Sequence, residues 1–396
     1  MKAFFMAEHT PSPQRFGTTR FFANQTFHFQ TLRVLNDIAA NGADLNEVLL
    51  TIGSIEEGNT DCWYQKFAEL AERTQARIPG CMDRLSTAYA WLRAHNYWRT
   101  AEFLLTPQDP RRLTAWANQI AAFDQGLTVA GVPYTRLSVP YEGASLRAIV
   151  YSGPEGWEKR PLIVCCGGYD STLEELYFVL VKAAYDRGYG VLTYEGPGQG
   201  AALRVHGLTF TPAWEKPTRA VLDMFEQTYF TAAKTILVGM SMGGYLAPRA
   251  AAFEPRLDGV VAYDVFFDMG SVAQRYAQSA QTAEARNNPD ITWAIDNAFW
   301  TLGVNTLDAV ITALQQYSLA PVAAAITCDV LTLVGEKDHF IPASQAQDFE
   351  AACTHARSCE TVYYDRPSGG AEHCQLGAQT LWHATFFDWM ARKFSS

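Results

Sequence analysis

A serine in the middle of the chain has the surroundings of a nucleophile. Ser241 is the third residue of Gly-x-Ser-x-Gly at 239–243, directly after the β-rich run 235–238 and before a helix-like run. A sharp strand-to-helix turn requires small neighbours and points the next backbone N–H, that of Met242, toward a developing oxyanion. This context predicts Ser241 as a nucleophile for acyl transfer.

A serine hydroxyl is a weak nucleophile, so it needs a histidine base and a carboxylate that orients the histidine. After a turn of this type the acid follows the serine along the chain, and the histidine comes last. The strand-like run 330–334 ends at the turn-forming Gly335, and Asp338 follows within reach of the sheet edge. We predict Asp338 as the acid, with Glu336 as the alternative.

The base is expected between the last strand and the closing helix. His373 lies there, after the strand-like run 361–364 and before the amphipathic run 378–394. His339 adjoins the predicted acid and is expected to be a structural or pocket residue. His383 lies inside the helical run and is expected to be solvated or at the edge of the core. We therefore predict His373 as the base.

A second oxyanion donor is expected from a loop after an earlier strand. Two glycines follow the apolar run Leu162–Cys166, and glycine lets backbone approach a ligand closely. The backbone N–H of either Gly168 or Tyr169 is the candidate. The glycine-rich segment 195–200 contains a proline and has no long helix behind it, so it predicts a tight loop and no dinucleotide cofactor.

The pattern of apolar residues in the elements that position these side chains changes near Val129. Apolar residues recur at helical spacing from 27 to 123, whereas short apolar strands alternate with helices afterwards. That alternation predicts an α/β fold with a mostly parallel sheet covered by helices on both faces. We predict a helical module at 1–128, a catalytic domain at 129–396, and a helical cap inserted at about 267–325.

Composition excludes several classes of protein. The 396 residues are 48% hydrophobic and carry a formal net charge of −10, which argues against nucleic acid and anionic membranes as partners. The histidines are scattered without a metal-ligand pattern, and none of the 8 cysteines forms a CxxC pair. The N-terminus is a poor signal peptide, and no run of about 20 apolar residues occurs. We expect a cytoplasmic protein without metal or cofactor.

Four segments together resemble the carbon–carbon-bond hydrolase branch of the α/β-hydrolase superfamily. They are CGGYDSTLEELY (166–177), YEGPGQG (194–200), WEKP (214–217) and GMSMGGY (239–245). That branch includes 2,6-dihydroxypseudooxynicotine hydrolase and fungal polyketide-shortening and fusarin-type hydrolases. The resemblance implies Ser241, Asp338 and His373 as a triad and an N-terminal region that covers the site and contributes to a homodimer. It also implies an extra acid near the triad, for which Asp264 and Asp268 are candidates.

These observations predict a serine hydrolase that cleaves a C–C bond next to a ketone in an acylated aromatic or polyketide-type small molecule. Hydrolysis of an ester, lactone or thioester, or a cyclisation, is the alternative reaction. A non-catalytic binding protein of the same fold is the alternative class. Aromatic residues of the predicted cap form either its core or an aromatic-lined pocket; they are Phe266, Phe267, Tyr276, Trp293, Phe299 and Trp300.

Overall fold

The computed structural model describes residues 20–279 and 289–394. The N-terminal segment that we predict not to be a signal peptide includes residues 1–19, which lie outside the described residues. Residues 280–288 of the predicted cap lie outside them too. Within the described ranges, no helix combines the length and the apolar character that a membrane span requires.

From residue 20 onward, five α-helices precede the sheet, and their inner faces pack around buried aromatic residues such as Phe27, Trp63 and Tyr97. The first helix begins at residue 25, because the Asn24 side chain accepts a hydrogen bond from the Phe27 N–H and caps it there. The helices are α1 (Gln25–Asn36), α2 (Leu45–Ile52), α3 (Thr60–Ala76), α4 (Arg84–Glu102) and α5 (Arg111–Ala130).

An eight-stranded sheet follows, in the order β1-β2-β4-β3-β5-β6-β7-β8. The β1–β2 and β2–β4 pairs are antiparallel and all other pairs are parallel, so the predicted α/β fold class is confirmed. The strands are β1 (Tyr134–Tyr141), β2 (Ala144–Tyr151), β3 (Leu162–Cys166), β4 (Val191–Tyr194), β5 (Thr235–Met240), β6 (Gly259–Tyr263), β7 (Asp329–Gly335) and β8 (Ser358–Tyr364).

Helices cover both faces of the sheet, and the strands β3 to β7 are buried along their whole length. A π-helical turn (Tyr177–Val181) leads into a short α6 (Lys182–Tyr185), and Glu174 and Glu175 before it are buried in ion pairs with arginines. The remaining helices here are α7 (Gly200–Arg204), α8 (Glu215–Thr228), α9 (Gly243–Ala251), α13 (Ser344–Ala352) and α14 (Gln379–Phe394).

A helical insertion lies between β6 and β7, where the cap was predicted. Its described helices are α10 (Met269–Ser279), α11 (Pro289–Leu302) and α12 (Leu307–Leu314), followed by a 3-10 turn at Ala323–Ala325. Thr301 of α11 donates a hydrogen bond to the Tyr169 hydroxyl at 3.1 Å, so the insertion contacts the loop after β3. The division into domains at residue 128 stays a prediction.

Candidate active site

The turn between β5 and α9 holds Ser241 in a strained conformation. Its φ is +58°, in the left-handed region that non-glycine residues rarely adopt. The Ser241 N–H donates to the Tyr263 carbonyl at 2.5 Å, which holds the turn against β6. A Cβ added at Gly239 would lie 2.0 Å from the Gly243 carbonyl oxygen, so the first glycine of the motif has no room for a side chain. Backbone strain of this kind is typical of functional sites.

Three predicted residues from distant parts of the chain form one hydrogen-bonded series. His373 Nε2 lies 2.9 Å from Ser241 Oγ, and His373 Nδ1 lies 2.6 Å from Asp338 Oδ2. The other carboxylate oxygen, Asp338 Oδ1, accepts from the N–H groups of Phe340 at 2.7 Å and Ile341 at 3.0 Å. These bonds fix the carboxylate, which in turn orients the imidazole toward the serine.

The acid and the base shift each other's pKa in opposite directions. Burial by itself lowers the pKa of His373, but the charge of Asp338 outweighs it and holds that pKa well above 6.5. Burial raises the pKa of Asp338, but His373 and the two backbone donors outweigh it and keep that pKa below its usual value. Each group thus favours the charged form of the other, and both side chains are nearly inaccessible to water.

The alternatives weighed for the acid and the base occupy other positions. Glu336 is exposed. The ring of His339 lies 6.3 Å from that of His373, and burial, followed by the charge of His373, lowers the pKa of His339 to about 4. His383 is buried rather than solvated, since its Nε2 bonds the Val179 carbonyl at 2.7 Å.

A second carboxylate lies beside the histidine. Asp264 Oδ2 is 3.3 Å from His373 Nδ1 and accepts from the Cys374 N–H at 2.6 Å. Asp264 Oδ1 accepts from the Gly335 N–H at 3.3 Å. Burial, followed by repulsion from Asp338, raises the pKa of Asp264 to about 7. Two carboxylates with such different pKa values beside one imidazole are typical of sites that handle protons.

The other candidate for an extra acid lies elsewhere. The Asp268 carboxylate accepts from the Ser271 N–H at 3.2 Å and caps the first turn of α10. The Asp268 backbone forms an isolated bridge with Ser318. No hydrogen bond in the described part of the chain joins Asp268 to the triad, so of the two candidates only Asp264 contacts His373.

Asp264, His373 and Cys374 are the one set of described residues whose donor atoms could together hold a metal ion, with those atoms within 4.8 Å of one another. His373 Nδ1 bonds Asp338, and Asp264 Oδ2 accepts from the Cys374 N–H. The donor set is therefore already engaged in hydrogen bonds that orient the imidazole, which fits a proton-transfer role better than a metal site.

Two backbone N–H groups near the serine have no hydrogen-bond acceptor among the described residues. They belong to Met242, after the nucleophile, and Tyr169, after β3. The Gly168 N–H donates to Ser171 Oγ at 3.1 Å, so of the two predicted alternatives the Tyr169 N–H is the free one. A Cβ added at Gly168 would lie 2.8 Å from Ser241 Cβ, which shows how closely this loop approaches the serine.

The glycine-rich segment 195–200 supports the same loop. Gln199 Nε2 donates to the carbonyls of Gly167 and Gly168, both at 2.8 Å, and Gln199 Oε1 accepts from the Gly196 N–H at 3.1 Å. The segment forms the tight loop that was predicted. The role of Gln199 was missed, although the residue stands inside one of the four motifs used for the family resemblance.

A family model of the "Alpha/beta hydrolase family" matches residues 162–365, which include Ser241 and Asp338. The chain belongs to this family. A curated relative, Hydrolase acrC of Aspergillus aculeatus, is 31% identical over 95% of this chain and 98% of its own length. The 20-hydroxy-prefusarin hydrolase of Gibberella moniliformis is 30% identical, again over 95% of this chain and 98% of its own length.

The fold of this α/β hydrolase is shared with the solved structure of 2,6-dihydroxy-pseudo-oxynicotine hydrolase. The two superpose with a TM-score of 0.72 at 21% identity, over 92% of this chain and 95% of that one. Because the coverage includes nearly the whole chain, the shared fold extends to the N-terminal helices as well as the sheet. The resemblance drawn from the four motifs is confirmed.

In this α/β hydrolase, helix α1 packs directly over the triad. The Phe29 ring lies 6.1 Å from that of His373 and 5.6 Å from that of Phe340. Arg33, one turn further on, donates to both carboxylate oxygens of Glu175 at 2.6 Å and to Asp170 at 3.1 Å. The helix is thus tied to the loop that carries Tyr169. An arginine within an apolar helix face is the sequence signal that could have identified this contact.

Of the aromatic residues predicted for the cap, Phe266, Phe267 and Phe299 pack in or against the core beside the sheet, whereas Trp293 and Trp300 contact the N-terminal helices. Trp293 Nε1 donates to the Phe103 carbonyl at 3.0 Å. The Trp300 ring lies under the guanidinium of Arg112, 4.6 Å from its central carbon, and 5.5 Å from that of Arg204. Trp300 also lines a cavity, so it fits the predicted aromatic-lined pocket better than the predicted cap core.

Proposed function

We propose that this α/β hydrolase cleaves a C–C bond next to a ketone, with Ser241 as the nucleophile, His373 as the base and Asp338 as the orienting acid. The observation that carries the proposal is the unbroken hydrogen-bonded series from Asp338 through His373 to Ser241. The substrate we propose is an acylated aromatic or polyketide-type small molecule, and the chemistry needs no cofactor.

The proposed reaction has two halves. Ser241 Oγ adds to the ketone carbon while His373 Nε2 takes its proton, and the oxyanion accepts from the N–H groups of Met242 and Tyr169. Collapse breaks the C–C bond, and the departing enolate receives the proton from His373. Water then attacks the acyl-serine with His373 as base, which releases a carboxylic acid and frees Ser241.

The relatives support the class of substrate. The curated relative that matches nearly the full chain is named for hydrolysis of 20-hydroxy-prefusarin, and others are named hydrolases. The bond is inferred from the motif resemblance to C–C hydrolases. The same triad and oxyanion donors would serve an ester, lactone or thioester, which is the alternative reaction.

Ser241→Ala tests the proposal, with Ser138→Ala at an exposed position of β1 as the matched control. We expect Ser241→Ala to lower turnover of an aryl β-diketone by a factor of about 10⁴ or more and Ser138→Ala to leave it unchanged. Mass spectrometry of quenched wild-type reactions should show an acyl group on Ser241. Full activity of Ser241→Ala would refute the nucleophile, and faster turnover of p-nitrophenyl esters than of any diketone would favour the alternative reaction.

The N-terminal helices are further proposed to act as a lid and as part of a homodimer interface. The lid role is supported by the contact of Phe29 with His373. Light scattering of the purified protein at several concentrations tests the homodimer, and a monomer at every concentration would refute it. The cytoplasmic location stays a prediction.

A further inference from the structure

A cavity of about 20 Å³ borders the oxyanion loop on the side of the N-terminal helices. Tyr169 and Ser171 of that loop line the cavity, and so does Gln199, which holds the loop in place. A cavity volume of about 10–15 Å³ is enough for one water molecule, so this space matches one or two oxygen atoms. Tyr169, whose backbone N–H is a proposed oxyanion donor, thus also lines the cavity, and its neighbour Gly168 is the residue that approaches Ser241.

Four lining residues carry a buried polar side-chain atom without a hydrogen-bond partner. They are Arg99 Nη1, Thr172 Oγ1, Arg204 Nε and Asn297 Oδ1. The side chains of Arg99 and Arg204 are only 3% and 8% exposed. Unpaired buried polar atoms are costly, and a cluster of them around one cavity indicates a missing ligand. Three of the four can donate a hydrogen bond, so the ligand they suit is an acceptor.

The charges around the cavity do not balance. Arg112 Nε and Arg204 Nη2 both donate to the single oxygen Glu102 Oε1, at 2.9 and 2.6 Å. Two guanidinium groups therefore share one carboxylate, and burial, only partly offset by Glu102, lowers the pKa of Arg112. A buried cationic site of this composition is stabilised by an added anion.

A second pair of arginines does not remove the excess of positive charge. Arg33 and Arg99 are matched by Glu175 and Asp170, with Arg99 Nη1 3.6 Å from Glu175 Oε1. Among the residues that line the cavity itself, three guanidinium groups, those of Arg99, Arg112 and Arg204, thus face two carboxylates, those of Glu102 and Asp170.

We infer that this cavity is a subsite for a carboxylate carried by the substrate, with Arg204, Arg99 and Thr172 as its donors. The inference rests on the proposed hydrolase function, since it places the carboxylate beside the ketone that Ser241 attacks. Each of these three side chains has one unpaired donor atom, so together they could donate to both oxygens of a carboxylate, and the two guanidinium groups supply charge-assisted hydrogen bonds. The subsite would select keto acids over neutral ketones.

Isothermal titration calorimetry on Ser241→Ala measures binding without turnover. The probes are 3-benzoylpropionate, an aromatic keto acid, and its neutral amide. We expect the carboxylate to bind at least about tenfold more tightly than the amide. Equal affinities, or no binding of the carboxylate, would overturn the subsite. Because the nucleophile is absent here, this result is independent of the turnover assay that decides the proposed function.

Substitutions within the same background locate the subsite. Arg204→Met should weaken carboxylate binding by about 10- to 100-fold and leave amide binding unchanged, and Glu102 keeps Arg112 as a partner. Thr172→Val, which preserves shape, should weaken carboxylate binding severalfold. Arg219→Met, at a half-exposed arginine paired with Glu254, is the charge-matched control and should change neither affinity. A carboxylate preference that survives both cavity variants would refute the assignment.

Discussion

Replacing Asp264 by asparagine removes one of the two buried carboxylates beside His373 and should stabilise the protein progressively as the pH rises. In the folded protein the pKa of Asp264 is raised from 3.8 to about 7, by burial and then by Asp338. Between these values the unfolded chain has lost a proton that the folded protein still holds. The wild type therefore loses stability as the pH rises through this window, and the asparagine variant does not.

The magnitude follows from the same two pKa values. The interval from 3.8 to about 7, at about 1.4 kcal/mol per pH unit, corresponds to about 4 kcal/mol of unfolding free energy at high pH. About 2.5 kcal/mol of this should develop between pH 5 and pH 8. The Asp264→Asn variant also weakens the hydrogen bond that the carboxylate accepts from the Cys374 N–H, but that cost does not depend on pH.

The assay is urea unfolding of the wild type and Asp264→Asn at several values between pH 5 and pH 8. Asp348→Asn, at an exposed aspartate of α13, is the matched control, and its curve should run parallel to that of the wild type. From pH 5 to pH 8, the free energy of unfolding of Asp264→Asn should increase by about 2.5 kcal/mol relative to that of the wild type. A difference that stays constant across this range would refute a raised pKa at Asp264.

Three further outcomes are expected. Arg33→Met should lower the free energy of unfolding by about 3–5 kcal/mol, because the buried Glu175 loses its bidentate partner; a urea-unfolding loss below about 1 kcal/mol would contradict this. Gly239→Ala should yield no folded protein on expression, since its Cβ would lie 2.0 Å from a carbonyl oxygen, whereas Gly80→Ala, in open space, should behave as the wild type. Finally, kcat/KM should rise with pH through the raised pKa of His373, because only neutral imidazole accepts the serine proton; a midpoint at or below pH 6.5 would contradict the raised pKa, and no rise with pH would oppose the base role.

Local patterns in the sequence were sufficient for the features that depend on neighbouring residues. The run 235–243 predicted a strand, a sharp turn and a helix, and the structure has β5, the positive φ of Ser241 and α9 there. Strand identity was predictable for the same reason, since an apolar strand buried on both faces has a distinctive composition. The order of serine, acid and base then selected Asp338 and His373 from several residues of the same type.

Contacts between distant residues needed the tertiary structure. Asp264 and Asp268 follow the same strand, four residues apart, and nothing local distinguishes them. The parallel register of β6 with β7 places Asp264 against Gly335, next to the histidine loop, whereas Asp268 has already entered α10. Strand register depends on how the whole sheet packs, so the extra acid could not be selected from spacing.

The same limit applies to the oxyanion donors and the arginine cluster. The sequence by itself predicted a donor from the Gly-Gly-Tyr loop, but the preference for Tyr169 over Gly168 as the candidate depended on where the Ser171 hydroxyl points. Arg99 and Arg204 come from α4 and α7, more than a hundred residues apart, and only folding brings them to one cavity. The sequence therefore determined which residues are the candidates for nucleophile, acid and base, while packing decided what surrounds them, because burial and charge balance depend on all neighbours in space.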